Sequence, residues 1–176
     1  MIKIPDNVSY GARDYLKKLK SGFNISFDAS YYFTEIMGAG LKYDLYKSSG
    51  SSQYGKDNIS ISFIGPAFYT RIYNHSKTNY WNFNFAIGYM EYRDKGELKS
   101  IPVTIKGNTA GFVWDIGYDF RISDNWAMGV QVSMVSGILY EYKVTENGRT
   151  KNIKLEKGSY EGLTHLNINI GIRCNL

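Results

Sequence analysis

Apolar and polar residues alternate strictly along the C-terminal end of the chain. From Leu166 to Leu176 every second residue is apolar, and the positions between them carry Asn, Gly and Arg. Because the side chains of a β-strand point alternately to its two faces, this period predicts a strand with one apolar and one polar face. Such a strand is typical of a sheet that meets lipid on one side and a polar lumen on the other.

Six further segments follow the same rule, one of them less regularly. The predicted strands cover residues 22–33, 37–46, 59–69, 81–90, 111–121, 126–142 and 164–176. In the third strand, Gly65-Pro66 predicts a bulge or an irregular end. In the last long connection, Asn147-Gly148 is the sequence signal of a type I′ turn and predicts a projecting hairpin.

The alternation by itself does not show which face lies inside. A soluble lipid-binding barrel, such as a lipocalin, would bury the apolar face. Here the polar face is rich in Gly, Ala, Ser and Asn, which suit the narrow interior of an eight-stranded barrel, whereas the other face carries bulky Trp, Phe, Tyr, Met and Ile. We therefore predict that the apolar face contacts lipid, and we keep the lipocalin-like carrier as the alternative.

Length and composition agree with a single barrel domain. The chain has 176 residues and 16 tyrosines, and aromatic rings near strand ends are typical of the boundary between lipid and water. Its mean hydropathy of −0.34 does not contradict a membrane location, since half of every barrel strand is polar. One cysteine and two histidines predict no metal centre, and no phosphate-binding or dinucleotide motif predicts a cofactor.

The connections alternate between short and long, as in bacterial barrels with short periplasmic turns and long outer loops. Residues 34–36, 74–80 and 123–125 form the short set, and residues 48–56, 93–108 and 143–163 form the long set. Barrels of this class need an even number of strands, so we expect an eighth strand N-terminal to the seven. Residues 1–20 are then an outer-loop segment with a remnant of that strand at residues 1–5, and residues 21–176 are the barrel domain. The alternative is a short strand at residues 2–10.

The start of the chain carries no apolar export signal. Because a barrel of the outer membrane must first cross the inner membrane, we expect the natural protein to have such a signal. Residues 10–20 also show helical spacing of apolar residues among basic ones, which indicates a short amphipathic helix or a solvated loop.

Charged residues of both signs are predicted to point into the lumen, where they need partners. They are Asp28, Lys42, Asp44, Asp115, Asp119, Arg121, Glu141, His165 and Arg173. Their network would fill the barrel, and eight strands leave no wide channel. The net charge of +5 comes mainly from the outer loops, which carry Arg13, Lys17, Lys18, Lys20, Lys143, Arg149, Lys151, Lys154 and Lys157.

These basic loops suit the phosphates of lipopolysaccharide. They are not interleaved with stacking aromatics, so we expect no nucleic-acid partner. A membrane-embedded enzyme is the third interpretation. His165 and Glu141 would form its base and orienting group, with Ser133 or Ser159 as nucleophile. A lone inward-facing histidine beside a glutamate is more often a lumen ion pair, so we expect no enzyme.

Three stretches resemble the small outer-membrane β-barrel family of OmpA/OmpX type, particularly its versions in Bacteroidetes. They are SGFNISFDASYYFTEIMGAGLKYDLYKSS, ISFIGPAFYTR and GFVWDIGYDFRISDNWAMGVQVS, and the likeness extends over residues 20–176. The resemblance implies an antiparallel up-and-down transmembrane β-barrel in the bacterial outer membrane, a monomer inserted by the barrel-assembly machinery. That machinery recognises a C-terminal strand that usually ends in an aromatic residue, whereas this chain ends in Leu176. The resemblance assigns no site residue.

Overall fold

The fold is described by a computed structural model, which covers residue 19 and residues 21–52, 55–98, 101–155 and 160–174. These residues form an all-β structure in which ten strands pair antiparallel in one sheet. The strands are β1 (Phe23–Tyr32), β2 (Met37–Ser52), β3 (Gly55–Tyr73), β4 (Asn79–Leu98), β5 (Ile101–Arg121), β6 (Trp126–Leu139), β7 (Glu141–Glu146), β8 (Arg149–Lys154), β9 (Glu161–Gly162) and β10 (His165–Cys174). No helix in this part of the chain is long and apolar enough to cross a membrane.

The seven predicted strands are confirmed as β1 to β6 and β10, which neighbour one another in chain order. This is the up-and-down arrangement that the short connections predicted. The sheet curls strongly, since Lys42 on β2 reaches Asp115 on β5 and Tyr46 on β2 stacks on His165 of β10. The concave side forms an interior, and the convex side forms the outward surface.

The sheet is not closed into a barrel. The seven strands on the path from β1 to β10 alternate in direction, so the two end strands run parallel to each other. They do not pair. Some of their Cα atoms nevertheless lie within 8 Å of one another. We call this unpaired junction between β1 and β10 the seam.

Two of the expected long loops are instead continuations of strands. Pairing between β4 and β5 runs from Asn79–Phe120 to Leu98–Ile101 in one register, so residues 93–98 and 101–108 are strand. Pairing between β2 and β3 likewise reaches Ser52–Gly55. The expectation was wrong because backbone hydrogen bonds keep the polar ends of β2, β3 and β4 paired, and because Ile101, Val103 and Ile105 continue one face of β5.

The predicted hairpin at Asn147-Gly148 is confirmed between β7 and β8. Asn147 and Gly148 have φ angles of 48° and 75°. Positive φ at both central residues is what a type I′ turn requires. β7 also pairs with the outer part of β5, so the hairpin extends the sheet beyond β6.

The bulge predicted at Gly65-Pro66 is absent. Pairing between β3 and β4 pauses at these two residues and resumes in the same register, from Ile64–Tyr89 to Ala67–Ala86. The close approach of the strands explains how this happens. A Cβ atom placed on Gly65 would lie 2.6 Å from the Cα of Gly88, so two facing glycines allow the strands to meet without an inserted residue.

The interior has two zones. Towards the long hairpins it is apolar, and a contact cluster there includes Phe63, Met90, Val113, Val135 and Leu139, all at most 2% exposed. Towards the short turns it is polar and contains buried Lys42, Asp115, Asp119 and Asn82, whereas buried Asp44 lies farther towards the hairpins as the cross-strand partner of Phe63. We refer to these as the hairpin side and the turn side.

Candidate functional site

A buried lysine lies at the centre of the polar interior. The side chain of Lys42 is fully buried, and its Nζ lies 2.9 Å from Asp115 Oδ2 and 3.1 Å from Asp28 Oδ1. Tyr69 donates its hydroxyl hydrogen to the same Asp28 oxygen at 2.8 Å. The cluster therefore balances one cation against two carboxylates contributed by β1 and β5.

A second ion pair lies nearer the turn side. Arg173 on β10 forms a salt bridge with the fully buried Asp119 on β5 and donates to Gln131 Oε1 at 2.8 Å. Asn82 Nδ2 donates to the other oxygen of Asp119 at 2.7 Å. These contacts join four strands across the interior.

Asp44 is held separately, against the seam strand β1. Its two carboxylate oxygens accept from Asn24 Nδ2 at 2.7 Å and from the Ser26 hydroxyl at 2.5 Å. Asp44 is buried, whereas Asn24 and Ser26 are only partly covered because β1 has no neighbour on its other side.

An arginine packed between tyrosine rings lies at the turn end of the interior. The guanidinium carbon of Arg71 lies 3.4 Å from the centre of the Tyr32 ring and 5.3 Å from that of Tyr80. Such stacking of a cation on aromatic rings is favourable. The sequence pattern did not indicate this group, because the third predicted strand ended at residue 69, before Arg71.

The structure brings most of the predicted lumen residues inside but divides them among separate contacts. Asp28, Lys42 and Asp115 form one cluster, Asp119 and Arg173 form another, and Asp44 binds polar residues of β1. Tyr69, Asn82 and Gln131, which the sequence analysis did not single out, complete these contacts. Their positions in the alternation could have identified them as inward-facing.

Two predicted lumen residues lie elsewhere, which corrects the sequence analysis. Arg121 is the last residue of β5 and is exposed, where it forms a 3.1 Å ion pair with Asp124 in the following turn. Glu141 is exposed on β7, opposite Lys154 of β8. The alternation was counted straight through Tyr140, but the register against β5 shifts by one residue between the pairs Gly137–Gly111 and Lys143–Lys106, so Glu141 turns to the outward face.

The proposed catalytic residues do not meet. His165 Nδ1 lies 3.0 Å from the carbonyl oxygen of Leu163, and its ring lies 4.6 Å from that of Tyr46. Ser133 is fully buried and accepts from Gln131 Nε2 at 3.1 Å. No hydrogen bond among the described residues joins His165 to Glu141 or Ser133, and Ser159 lies outside these residues.

The outward surface between the hairpins and the turns is a largely apolar belt, in which Thr70 and Ser136 are the polar members among the described residues. Most of its side chains are large and exposed, for example Trp114 at 54%, Ile116 at 52% and Ile170 at 80%. Among the described residues, no outward-facing position in the belt carries a charge. These positions are every second residue of the following ranges: 23–31 on β1, 37–45 on β2, 64–72 on β3, 81–89 on β4, 110–120 on β5, 126–138 on β6 and 166–174 on β10.

The length of the belt along one strand can be compared with the apolar band of outer-membrane barrels. On β4 it runs from Trp81 to Tyr89, which is about 27 Å along the strand at ~3.4 Å per residue. With a strand tilt of ~40° this is roughly 21 Å across the belt, close to the ~25 Å apolar band of outer-membrane barrels. Charged residues begin directly beyond it, with Lys47 on β2 and Glu91 on β4.

Two carboxylates lie inside the sheet beyond the hairpin-side edge of the belt. Burial, followed by repulsion from Asp57, raises the pKa of Asp94 to about 6. Burial also raises the pKa of Asp57. On the turn side, a 2.8 Å ion pair from Glu35 to Lys77 ties two turns together and lowers the pKa of Glu35.

The predicted basic loop residues are only partly described. Arg149, Lys151 and Lys154 are exposed on β8. Arg13, Lys17, Lys18, Lys20, Lys157 and the alternative strand at residues 2–10 lie outside the described residues. So does the predicted helix at residues 10–20 apart from Leu19, which is helical and buried. Among the described residues no group of three His, Cys, Asp or Glu side chains could hold a metal ion.

Comparison with known proteins assigns no family. No family model matches the chain, and the comparisons with curated proteins and with solved structures give no match either.

Proposed function

We propose that this protein is a transmembrane β-barrel of the bacterial outer membrane, with a filled interior and a structural or surface-interaction role. One observation carries the proposal: a belt of exposed, uncharged and mostly bulky side chains covers the outward surface, whereas Lys42, Asp115 and Asp119 are buried inside. In water-soluble proteins large apolar side chains are mostly buried, and lysine and aspartate are almost never fully buried unless they are paired.

The energetics favour lipid outside. Monomeric soluble proteins rarely expose a contiguous apolar patch larger than about 600 Å², because contact between apolar surface and water is unfavourable. The belt extends over all seven long strands, so in water it would drive aggregation. The lipocalin-like alternative requires the bulky side chains to line the interior, whereas Trp114 and Ile116 point outward and are more than half exposed.

A packed interior favours a structural role over a diffusion pore. Phe63, Met90 and Leu139 pack together on the hairpin side, and Arg71 stacks on Tyr32 on the turn side. A cavity of about 2280 Å³ remains along the open seam, lined in part by Arg71 and Leu139. The eighth strand expected from the sequence would occupy part of this space, and ions crossing the closed barrel would then have to pass both groups. We therefore expect no stable single-channel conductance from the protein in a planar bilayer.

An eighth strand is proposed to close the seam, contributed by sequence N-terminal to β1. Because β1 and β10 are parallel, one inserted strand would pair antiparallel with both and would make the strand number even. Unpaired strand edges are strongly unfavourable in lipid, where no water satisfies their N–H and C=O groups. Since parts of the seam are narrower than 8 Å and a strand needs about 9–10 Å between its neighbours, the sheet must open slightly.

The side chains at the seam are more exposed than equivalent side chains on strands that have two neighbours. Leu166, Ile168 and Ile170 on β10 are 70–80% exposed, compared with 47% for Val132 on the adjacent β6. On the inner side, Asp28 and Arg173 keep 25% and 29% of their side chains exposed, although their partners Lys42 and Asp119 are completely buried. An added strand would cover both sets.

Membrane insertion is tested by reconstitution. The purified protein should require detergent, should float with zwitterionic phosphatidylcholine vesicles in a density gradient, and should migrate faster on a gel before heating than after it. A monodisperse monomer in detergent-free buffer that stays at the bottom of the gradient would contradict the proposal.

Hydrogen exchange tests the seam separately, because the edge amides of β1 and β10 report on pairing. If an eighth strand closes the barrel, the amides that β10 does not direct towards β6 should exchange as slowly as those of β5. Rapid exchange confined to the edges of β1 and β10 in the vesicle-inserted protein would refute closure while leaving membrane insertion intact.

The biological partners follow as proposals from this location. Phosphorylated lipids, including lipopolysaccharide, would surround the barrel, and the barrel-assembly machinery would insert it. The likeness to the OmpA/OmpX-type family remains a prediction, and so does the absence of catalytic activity. Loss of a lipid or peptide turnover in His165→Ala would contradict the non-enzymatic interpretation.

A further inference from the structure

A row of positive charges lies on the outward surface just beyond the hairpin-side edge of the apolar belt. Arg93 on β4 is the cross-strand partner of Lys106 on β5, and Lys106 is the partner of Lys143 on β7. The row continues to Lys47 on β2, which is separated from Arg93 by Ser60 on β3. We call Lys47, Arg93, Lys106 and Lys143 the basic row.

The arrangement of the row is unfavourable unless an anion binds to it. Like charges directly opposite on a sheet destabilise it. Neighbouring strands are about 4.8 Å apart, so the Cα atoms of Arg93, Lys106 and Lys143 span roughly 10 Å. Glu91 lies 2.8 Å from Arg93, but no ion pair to Lys106 or Lys143 occurs among the described residues.

The carboxylates near the row do not neutralise it. Glu141 lies on the same face of β7 as Lys143, two residues away, but its cross-strand partner is Lys154, which adds a further cation. Lys106 and Lys143 are both exposed, so their ammonium groups are accessible from outside. The described surface thus holds more positive than negative charge at this level.

The height of the row is that of lipid headgroups. Arg93 follows the last belt residue of its strand, Tyr89, by four positions, which is roughly 10 Å farther from the belt centre at a tilt of ~40°. Lysine and arginine extend long apolar stems along a surface while their charged ends reach a polar layer. A phosphate held at this height would carry acyl chains that lie on the belt below it.

We propose that the basic row binds the phosphate group of an anionic lipid in the leaflet on the hairpin side. This inference rests on the proposed function, because only a membrane-inserted barrel presents the row to lipid. Lys106 and Lys143 contribute point charges, and Arg93 contributes directed N–H donors. A lipid is favoured over a free anion because the adjoining belt adds apolar contact with its chains.

The test measures lipid binding by native mass spectrometry of the full protein in an uncharged detergent. The probe is phosphatidic acid, with diacylglycerol of the same chains as the unphosphorylated comparison and inorganic phosphate as the free anion. The variant is Lys106→Gln/Lys143→Gln. The matched control is Lys56→Gln/Lys151→Gln, which removes the same charge from exposed lysines of the hairpins outside the row.

A membrane-surface lysine contributes about 1 kcal/mol to anionic lipid binding, which is about 5-fold in affinity, so the row variant should bind phosphatidic acid roughly 25-fold more weakly. The control should remain within about 2-fold of the wild type. Equal losses in both variants would overturn the proposal in favour of a general charge effect. Equal binding of diacylglycerol, or full competition by inorganic phosphate, would overturn it as well.

A second variant distinguishes lipid binding by the basic row from a contribution of the row to the stability of the sheet. Lys106→Glu places a negative charge between Arg93 and Lys143, so it should abolish binding of phosphatidic acid and raise the resistance of the barrel to urea. If Lys106→Glu lowers stability, the row is structural and the proposal fails. Flotation with phosphatidylcholine vesicles reports separately on insertion, so failure of the lipid site and failure of the barrel proposal are distinguishable.

Discussion

Replacement of Lys42 by methionine probes the filled interior. Methionine has nearly the length of lysine but no charge, so the change removes the cation and leaves the packing volume. Asp115 is 2% exposed, and without Lys42 its nearest remaining partner is the Asn84 amide at 3.4 Å. Asp28 keeps the Tyr69 hydroxyl at 2.8 Å and some contact with solvent at the seam.

The expected loss of stability follows from the different surroundings of Asp115 and Asp28. Removal of one partner from a buried ion pair costs about 3–5 kcal/mol, because the other charge remains buried without compensation. Here one of the two carboxylates keeps a hydrogen bond and partial exposure, so we expect the lower end, about 3 kcal/mol in the free energy of unfolding. In Lys42→Met/Asp115→Asn the uncompensated charge is gone, and the loss should shrink to about 1 kcal/mol.

Urea unfolding of the vesicle-inserted protein, followed by tryptophan fluorescence, measures both variants. Fully reversible transitions with equal slopes are needed for the comparison. The reasoning would be refuted if Lys42→Met lost less than about 1 kcal/mol, since an ion pair of that strength is typical of a solvent-exposed surface. It would also be refuted if the double variant were as unstable as the single one.

Three further changes test other parts of the structure. Ile116→Arg at the middle of the belt should cost roughly 2–4 kcal/mol in vesicle-inserted protein, whereas a water-facing site would change by less than about 0.5 kcal/mol in urea unfolding. The pKa of Asp94 is raised to about 6 by burial and by Asp57, which favours the protonated form in the fold. Stability should therefore fall by roughly 1 kcal/mol, after allowance for partial exposure, as the pH rises from about 4 to 7. Asp94→Asn should reduce this slope to the part contributed by Asp57. Gly129→Ala would bring a Cβ into collision with an Asp119 oxygen and should lower the thermal midpoint, whereas Gly171→Ala, directly across on β10 and without an atom within 4 Å of its Cβ, should leave it unchanged.

Local patterning predicted the strands well, because the burial of alternate side chains is encoded residue by residue. The ten residues of β10 and the inner part of β5 show this most clearly, since each outward position is bulky and each inward one is small or polar. The outer part of β5 was not predicted. There, Ile101, Val103 and Ile105 still alternate, but they pair with the end of β4 at residues 94–98, whose charged and glycine-containing sequence is typical of a loop.

The contacts across the interior depend on curvature, which the sequence pattern does not contain. Two strands separate Lys42 on β2 from Asp115 on β5, so their ion pair forms only because the sheet curls. Glu141 was placed inside because the alternation carries no sign of the one-residue shift in register between β6 and β7. Arg71 was missed because the predicted third strand ended at residue 69, four residues before the end of β3.

The depth of Trp114 in a lipid bilayer tests the central claim most directly. Trp114 is the tryptophan nearest the middle of the belt, whereas Trp81 and Trp126 lie near its turn-side edge, so a variant with Phe at the latter two reports on Trp114 alone. In vesicles with brominated acyl chains, bromines near the chain ends should quench Trp114 most strongly. Strong quenching by aqueous acrylamide, without quenching by any brominated lipid, would place this face in water and contradict the account.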